Sequence, residues 1–379
     1  MPRPKPPAAA EELSWAQVHA FRLARHHLAK RAPKKDMVRV VGDMGGAQAQ
    51  VMSAAELQIA VRVDCKPRDV QAALWKDKTL VKTWLMRGTL HLIPAEDLPL
   101  YTAAMRTRWI RINKSWLKFV EMSEPELLNL LEAIGETVNS KPMTRQQLIA
   151  AVGKGRPQRV QTVLRSGWGS ILKPVARRGL LCFGPSTGAS VTFVRPQQWL
   201  ASWRDVDPDA ALAEVARRYL RAFGPATKED FSNWWGRWPG LAKAAWTAIA
   251  DELAEVSIEG QRAQLLATDL RQFGRVQSDS SVQLLPAFDP YLMGYSRRDH
   301  LFDAAYRWRV SRVAGWISPV VLIDGRVVAT WSHIVTKQVL YVTVDPFRKL
   351  PPKSLTGVRA RAANLAAALG ATDAAVKVA

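Results

Sequence analysis

Along residues 14–94 the apolar positions change period once, and that change predicts helices followed by a hairpin. Trp15, Val18, Phe21, Leu23 and Leu28 recur behind Ser14, a good side-chain N-cap, so a helix is expected from Ser14 to about Leu28. Met37, Val38, Val40, Val41 and Met44 form a shorter apolar helix that stops at Gly45-Gly46. Further helices are expected over 53–63 and 67–75, the second opening on Pro67. From Thr79 the period shortens to that of strands, with runs at 79–86 and 88–93 joined through Arg87-Gly88. Helices and a hairpin in that order predict a winged helix.

The same grammar returns downstream. An amphipathic helix at 124–138 precedes Thr144-x-x-Gln147, a capping box; another at 209–223 precedes Gly224-Pro-Ala-Thr227, where Thr227 caps a helix at 231–235. The second unit continues through a helix at 159–178 and strands at 180–183 and 191–194. The third continues through a helix at 241–253 and strands at 256–258 and 263–266. Beyond it the pattern is mainly β, with an apolar strand and turn at 282–295 and a hairpin at 319–331 whose Asp324-Gly325 is a type I′ signal. The predicted fold class is α+β: a disordered arm at 1–12, winged-helix units at 13–122, 123–205 and 206–275, and a β-rich segment at 276–379.

Charge narrows the partners. The chain of 379 residues carries 54 Lys plus Arg against 33 Asp plus Glu, a formal charge of +21, far more than solubility requires. No run reaches the length of a transmembrane helix, and no amphipathic segment is especially Lys-rich on one face, so nucleic acid is favoured over a membrane. Cys65 and Cys182 stand far apart without a Cys-x-x-Cys pattern, arguing against a disulfide framework or zinc finger and for a reducing compartment. The proline-rich, basic start at 1–10 lacks the apolar core of a signal peptide, so a cytoplasmic protein is expected.

Candidate chemistry is sparse. There is no phosphate-binding loop, no Gly-x-Ser-x-Gly elbow and no His-Glu-x-x-His. His26 and His27 are adjacent in a helix and diverge, so no metal and no cofactor is expected. His91 and His333 suit either a base or phosphate contact or a structural hydrogen bond. Asp289, ahead of Pro290, suits a turn cap as well as chemistry. The arginine-aromatic mixture of Arg297, Arg298, Tyr306-Arg307-Trp308-Arg309 and Arg312 suits phosphates and bases, or a solvated loop.

The remaining feature is Gln48-Ala49-Gln50 behind the paired glycines. On a continuing helix, side chains two apart diverge by about 200°; on an extended segment they share one side and can hold one small polar ligand. Each amide offers acceptor and donors, so the pair can grip a water or a carbonyl oxygen. The alternative is that both glutamines cap the helix that follows.

Gln48-Ala-Gln50, Thr83-Trp-Leu-Met-Arg-Gly-Thr-Leu-His91, Gly224-Pro-Ala-Thr227, Pro286-Ala-Phe-Asp-Pro-Tyr-Leu-Met-Gly-Tyr295 and Gly315-Trp-Ile-Ser-Pro-Val320 together resemble the AlkZ-like DNA glycosylases over nearly the whole chain. The resemblance implies three tandem winged helices in a C-shaped clamp with a basic channel, acting on double-stranded DNA that contains alkylated purines. It implies that the family's Gln-apolar-Gln motif falls on Gln48, Ala49 and Gln50, making Gln48 and Gln50 the catalytic pair. Candidate DNA contacts are Arg87, Thr89, His91, Arg297, Arg298, Arg307, Arg309 and His333.

An N7- or N3-alkylated purine already carries positive charge, so its glycosidic bond is activated and a positioned water suffices. The expected enzyme is monofunctional and monomeric, with bulky adducts and interstrand crosslinks within reach of a wide channel. General repair and self-protection in a producer of a DNA-alkylating antibiotic both fit. The competing class is a noncatalytic winged-helix transcription regulator, expected to bind a palindrome as a symmetric dimer.

Overall fold

Strand β1 (Glu11–Leu13) shows how far the chain doubles back, since its parallel partner, β8 (Leu253–Ile258), lies in the third predicted unit. The computed structural model describes residues 11–107, 114–165, 171–273 and 281–379. Residues 1–10 of the expected arm lie outside these. Glu11 and Glu12, assigned to that arm, are instead strand, because the exposed edge of β8 offers unpaired peptide groups to them. The helix Trp15–Arg25 follows as expected, with Ser14 and Gln17 forming a reciprocal capping box.

In the first unit, helices Met37–Asp43, Met52–Ala60 and Pro67–Trp75 precede a sheet of order β2-β4-β3, made of Ala47–Gln48, Leu90–Pro94 and Leu80–Trp84. The second repeats the plan. Helices Glu124–Thr137, Arg145–Gly153, Gln158–Arg165 and Leu172–Arg177 accompany β5 (Met143–Thr144), β6 (Cys182–Thr187) and β7 (Ser190–Val194), again with the short strand paired to the last. The helix expected over 159–178 is thus two described pieces, with 166–170 outside the described residues.

In the third unit, helices Pro208–Phe223, Lys228–Trp235 and Pro239–Ala248 lead into β8 and β9 (Gln261–Leu266), and Ala226 bridges Gln264 where the other units have their short strand. Thr144 and Thr227 cap their helices with Gln147 and Asp230, as the spacing predicted. The helix expected to reach Leu253 ends at Ala248, followed by a 3-10 turn at Ala250–Glu252.

The C-terminal segment departs most from expectation. It holds a sheet of order β10-β11-β12-β13-β14: Val282–Leu285, Val320–Ile323, Arg326–Thr336, Val339–Pro346 and Asp373–Val378. Across it lies the helix Pro352–Leu369, which buries Val358, Ala362, Leu365 and Ala366 against Val342, Val344 and Trp331 and ends on left-handed Gly370. The segment is therefore mixed, not only β. Asp324 and Gly325 take φ of 51° and 80°, the predicted type I′ pair.

An aromatic core joins these parts. Tyr219, Phe223, Phe231, Trp234, Trp235, Tyr291 and Tyr295 are buried together, and each ring contributes roughly 1.5–3 kcal/mol. The Tyr219 hydroxyl donates to the Gly294 carbonyl at 2.7 Å, and that of Tyr295 to the Phe223 carbonyl at 3.2 Å, so the third unit and the C-terminal segment are keyed to each other. Trp84 of β3 packs on Phe183 and Phe193, joining the first two units through their sheets. No helix among the described residues is long and apolar enough to cross a membrane.

Candidate active site

The glutamine segment is extended because the helix before it is stopped. Gly45 and Gly46 take φ of 75° and 87°, a conformation costly for residues with a Cβ. A Cβ would also stand 3.0 Å from a Phe223 ring carbon at Gly45 and 3.0 Å from an Ile93 methyl at Gly46. The chain then joins β4 in antiparallel register, Ala47 opposite Leu92 and Gln48 opposite His91, and the Ala49 N–H donates to the Leu90 carbonyl at 2.7 Å. Alternation sends Ala47 and Ala49 into the first unit's core and leaves Gln48 and Gln50 off it. The capping alternative fails: the helix that follows is N-capped by Val51, without a side-chain hydrogen bond.

Gln48 is 5% exposed, whereas Gln50 is exposed. The Arg87 Nη2 donates to Gln48 Oε1 at 3.3 Å, which aims the Gln48 amide nitrogen the other way. The Leu90 N–H donates to Gln50 Oε1 at 3.5 Å, a long contact. Each carbonyl keeps a lone pair and each amide its N–H donors.

Arg87 lies in the left-handed region at φ 55° and anchors its other arm on the Trp234 carbonyl at 2.8 Å, so the turn between β3 and β4 is bolted to the helix Lys228–Trp235 beside Gln48. Burial, with Arg298 nearby, brings the Arg87 guanidinium down to about 10. His91 is 2% exposed, its Nδ1 sits 3.0 Å from the Thr89 carbonyl, and burial with the Arg87 charge lowers it to about 3. It is a neutral neighbour of Gln48. The Thr89 hydroxyl donates to the Met86 carbonyl at 3.2 Å, tightening the turn between β3 and β4.

The other candidates disperse. Arg298 donates to the Ser311 hydroxyl at 3.1 Å and is depressed by burial, then by Arg307. Arg297 is exposed, while Arg307 pairs with Asp299 at 2.8 Å. Arg309 is held by Asp345 at 2.5 Å and over the Phe347 ring, an anchoring role. His333 lies on β12 against Trp331, lowered by burial. The hairpin beyond it exposes Ile334, Val335 and Tyr341 around Lys337-Gln338. His26 and His27 diverge as predicted, His26 into the core and His27 to Asp43 at 2.8 Å. Among the described residues no group of side chains has the makings of a metal site.

Sequence reasoning missed what holds Gln48 from behind. Gln58 Oε1 accepts the Gln48 N–H at 3.0 Å, and Gln58 Nε2 donates to the Gln48 carbonyl at 3.2 Å and the Ala287 carbonyl at 3.0 Å. One side chain thus replaces the strand that β2 lacks on that edge. Arg62, one turn on, donates to the Gln58 carbonyl at 2.8 Å and makes a bidentate pair with Asp289 at 2.8 and 2.6 Å, both side chains fully buried. Asp289 also accepts the Tyr291 N–H, so the turn-cap reading holds and a charge partner is added. Polar Gln58 and Arg62, four apart among Leu57, Ile59 and Val61, were the available signal. Gln58→Leu strands buried peptide groups and is expected to cost about 1–3 kcal/mol in urea unfolding; an unchanged midpoint would refute the bracket.

The chain is similar to known proteins over nearly its whole length. The family model described as DNA glycosylase AlkZ-like matches residues 41–370. A Streptomyces sahachiroi protein named interstrand DNA cross-link repair glycosylase is 37% identical over 374 residues, which cover 96% of this chain and 99% of that protein. The solved structure of Streptomyces sahachiroi DNA glycosylase AlkZ matches with a TM-score of 0.87 at 34% identity, over 97% of this chain and 100% of that one. With a family match over most of its length and a relative alike from end to end, the chain belongs to the AlkZ-like DNA glycosylases.

Proposed function

We propose that this glycosylase is monofunctional and hydrolyses the N-glycosidic bond of cationic N7- and N3-alkylated purines, using a water held by Gln48 and Gln50. The observation that carries this reading is a site of neutral amides. Among the described residues no carboxylate hydrogen-bonds to Gln48, Gln50, Arg87 or His91, and His91 is too depressed to be a proton donor at neutral pH. Such a site suits a leaving group that departs without protonation. Water oxygen bonds to C1′ as the C1′–N bond breaks, and the bonding pair neutralises the purine cation. The water's proton passes to solvent, and an abasic sugar remains.

The wider reading rests on the architecture. Two units that each pair a short strand with a hairpin, and a third in which Ala226 bridges Gln264 at the same place, support tandem winged helices arranged as a clamp, and the charge of +21 supports phosphate contact along double-stranded DNA. Arg87, Arg298, Thr89 and the exposed Arg297 and Arg307 are the nearest candidates to touch the backbone, and the β12–β13 hairpin to enter a groove. The relative named for interstrand cross-link repair supports including crosslinks and bulky adducts. The reading makes the protein a monomer that works on the chromosome in the cytoplasm.

The test is single-turnover release of 7-methylguanine from duplex DNA. Gln48→Ala and Gln50→Ala are each expected to slow release by about 10²–10³-fold, as for loss of one oriented dipole, with DNA binding retained. Wild-type release that both variants match would discard the water assignment, and efficient uracil release would discard the cationic-substrate reading.

A further inference from the structure

An exposed apolar patch surrounds the arginine-aromatic stretch noted in the sequence. Trp308 is 73% exposed, Val313 93% and Trp316 41%. Trp308, Arg312 and Trp316 line two adjoining cavities of about 540 and 510 Å³, and Val313 lines the first. The loop carrying them is built to project. Ser311 and Ile317 bridge at its base, the Arg312 N–H donates to the Trp316 carbonyl at 2.8 Å, and Ala314 and Gly315 turn the tip through φ of 57° and 76°. Holding Ala314 in that region costs energy, so the projecting shape is maintained at a cost.

Contacts tie this groove to the glutamines by two routes. Trp316 meets Phe288 edge to face at 4.8 Å, and Ala287 beside it accepts from Gln58, which holds the Gln48 peptide. On the other side Ser311 accepts from Arg298, whose charge is felt by Arg87, the residue that grips the Gln48 amide. The chemistry of the groove is two indole faces beside Arg312, which has no carboxylate partner among the described residues. Stacking faces next to an unpaired cation match a nucleobase with its phosphate, while a bare apolar tip next to them matches a wedge between base steps.

We propose that the groove of Trp308, Arg312 and Trp316 receives one nucleobase unstacked from the duplex beside the lesion, with Val313 filling the gap it leaves. This rests on the chain acting on DNA. It assigns the groove a base next to the reacting nucleotide and leaves the alkylated sugar at Gln48 and Gln50. A crosslinked purine cannot rotate out of its duplex, so displacing a neighbouring base gives the enzyme access without flipping the lesion.

The probe is a duplex with a tetrahydrofuran abasic site and 2-aminopurine placed in turn at each position around it, bound to the full chain. Wild type is expected to change the fluorescence at one position. Trp308→Ala and Trp316→Ala are expected to remove that change and to weaken binding about tenfold or more, the usual loss for a stacking residue. Val313→Asp is expected to do the same, whereas Phe119→Ala, on the helix Lys114–Val120 and equally exposed at 73%, leaves both readouts unchanged. Tryptophan variants that bind and report like wild type overturn the groove while leaving the glycosylase reading in place. Sedimentation showing that they convert a dimer to a monomer overturns it in favour of a self-interface. Wild type with no affinity for the duplex overturns both readings.

Discussion

Asp289→Ala is expected to remove about 3–5 kcal/mol of stability, because it leaves the fully buried Arg62 guanidinium without its counter-charge. Against a net stability of about 5–15 kcal/mol for a typical domain, that is a large fraction. The loss compounds with hydrogen bonds: Asp289 accepts the Tyr291 N–H at 3.0 Å, and Arg62 passes on to the Gln58 carbonyl at 2.8 Å. Replacing both members, Arg62→Met with Asp289→Leu, is expected to be milder than Asp289→Ala alone, since neither charge is then buried unpaired. Urea unfolding of the variants decides the matter. A single variant as stable as wild type, or a double variant worse than the single, would contradict the buried-pair account. Base release should fall in variants that still fold, because Gln58 loses its backing and Gln48 its fixed position.

Acidification is the second large effect. Of the 6 histidines, His19, His26, His91, His300 and His333 are depressed: burial is the main cause in each, and nearby arginines add to it in the first four. His19 and His91 come down to about 3, while His26 and His300 lie far below the ordinary value. Above pH 6.5 neither folded nor unfolded chain protonates these rings, so they contribute no pH dependence. Below 6.5 the unfolded chain takes up protons that the folded chain refuses. Stability therefore falls with decreasing pH, and for His19 and His91 the fall runs from 6.5 down to about 3. Each ring contributes up to about 1.4 kcal/mol per pH unit in that window. Thermal melting at pH 7.5, 6.0 and 5.0 should show Tm dropping steeply over the last interval; a flat Tm would mean the rings are solvated.

Several of these features were legible in the residues and others were not, for physical reasons. The glycine pair announced the extended glutamines, because a left-handed stop leaves few alternatives for the next residues. The capping boxes at Thr144 and Thr227 were equally local. Gln58 was not, since its bonds to the Gln48 peptide depend on how the chain folds back within the first unit and its bond to the Ala287 carbonyl on how the C-terminal segment docks there. Arg87 read as a candidate DNA contact, and its hydrogen bond to the Trp234 carbonyl, which crosses to the helix Lys228–Trp235, was not legible. The helix Pro352–Leu369 was hidden by its composition: alanines and small residues give a narrow apolar stripe, and the strands on either side dominate the pattern.

The pairing of β1 with β8 sets a schedule for the nascent chain. Leu13, Val18 and Phe21 are buried against Val256, Ile258, Leu265 and Phe273, so the helix Trp15–Arg25 finds its seat only after the third unit, more than two hundred residues later, has been made. Until then its apolar face is exposed on a tether of more than two hundred residues, open to chaperones and to the same segment of a neighbouring nascent chain. Once it docks, beginning and middle of the polypeptide are stitched together, and the units can no longer open as independent beads on a string.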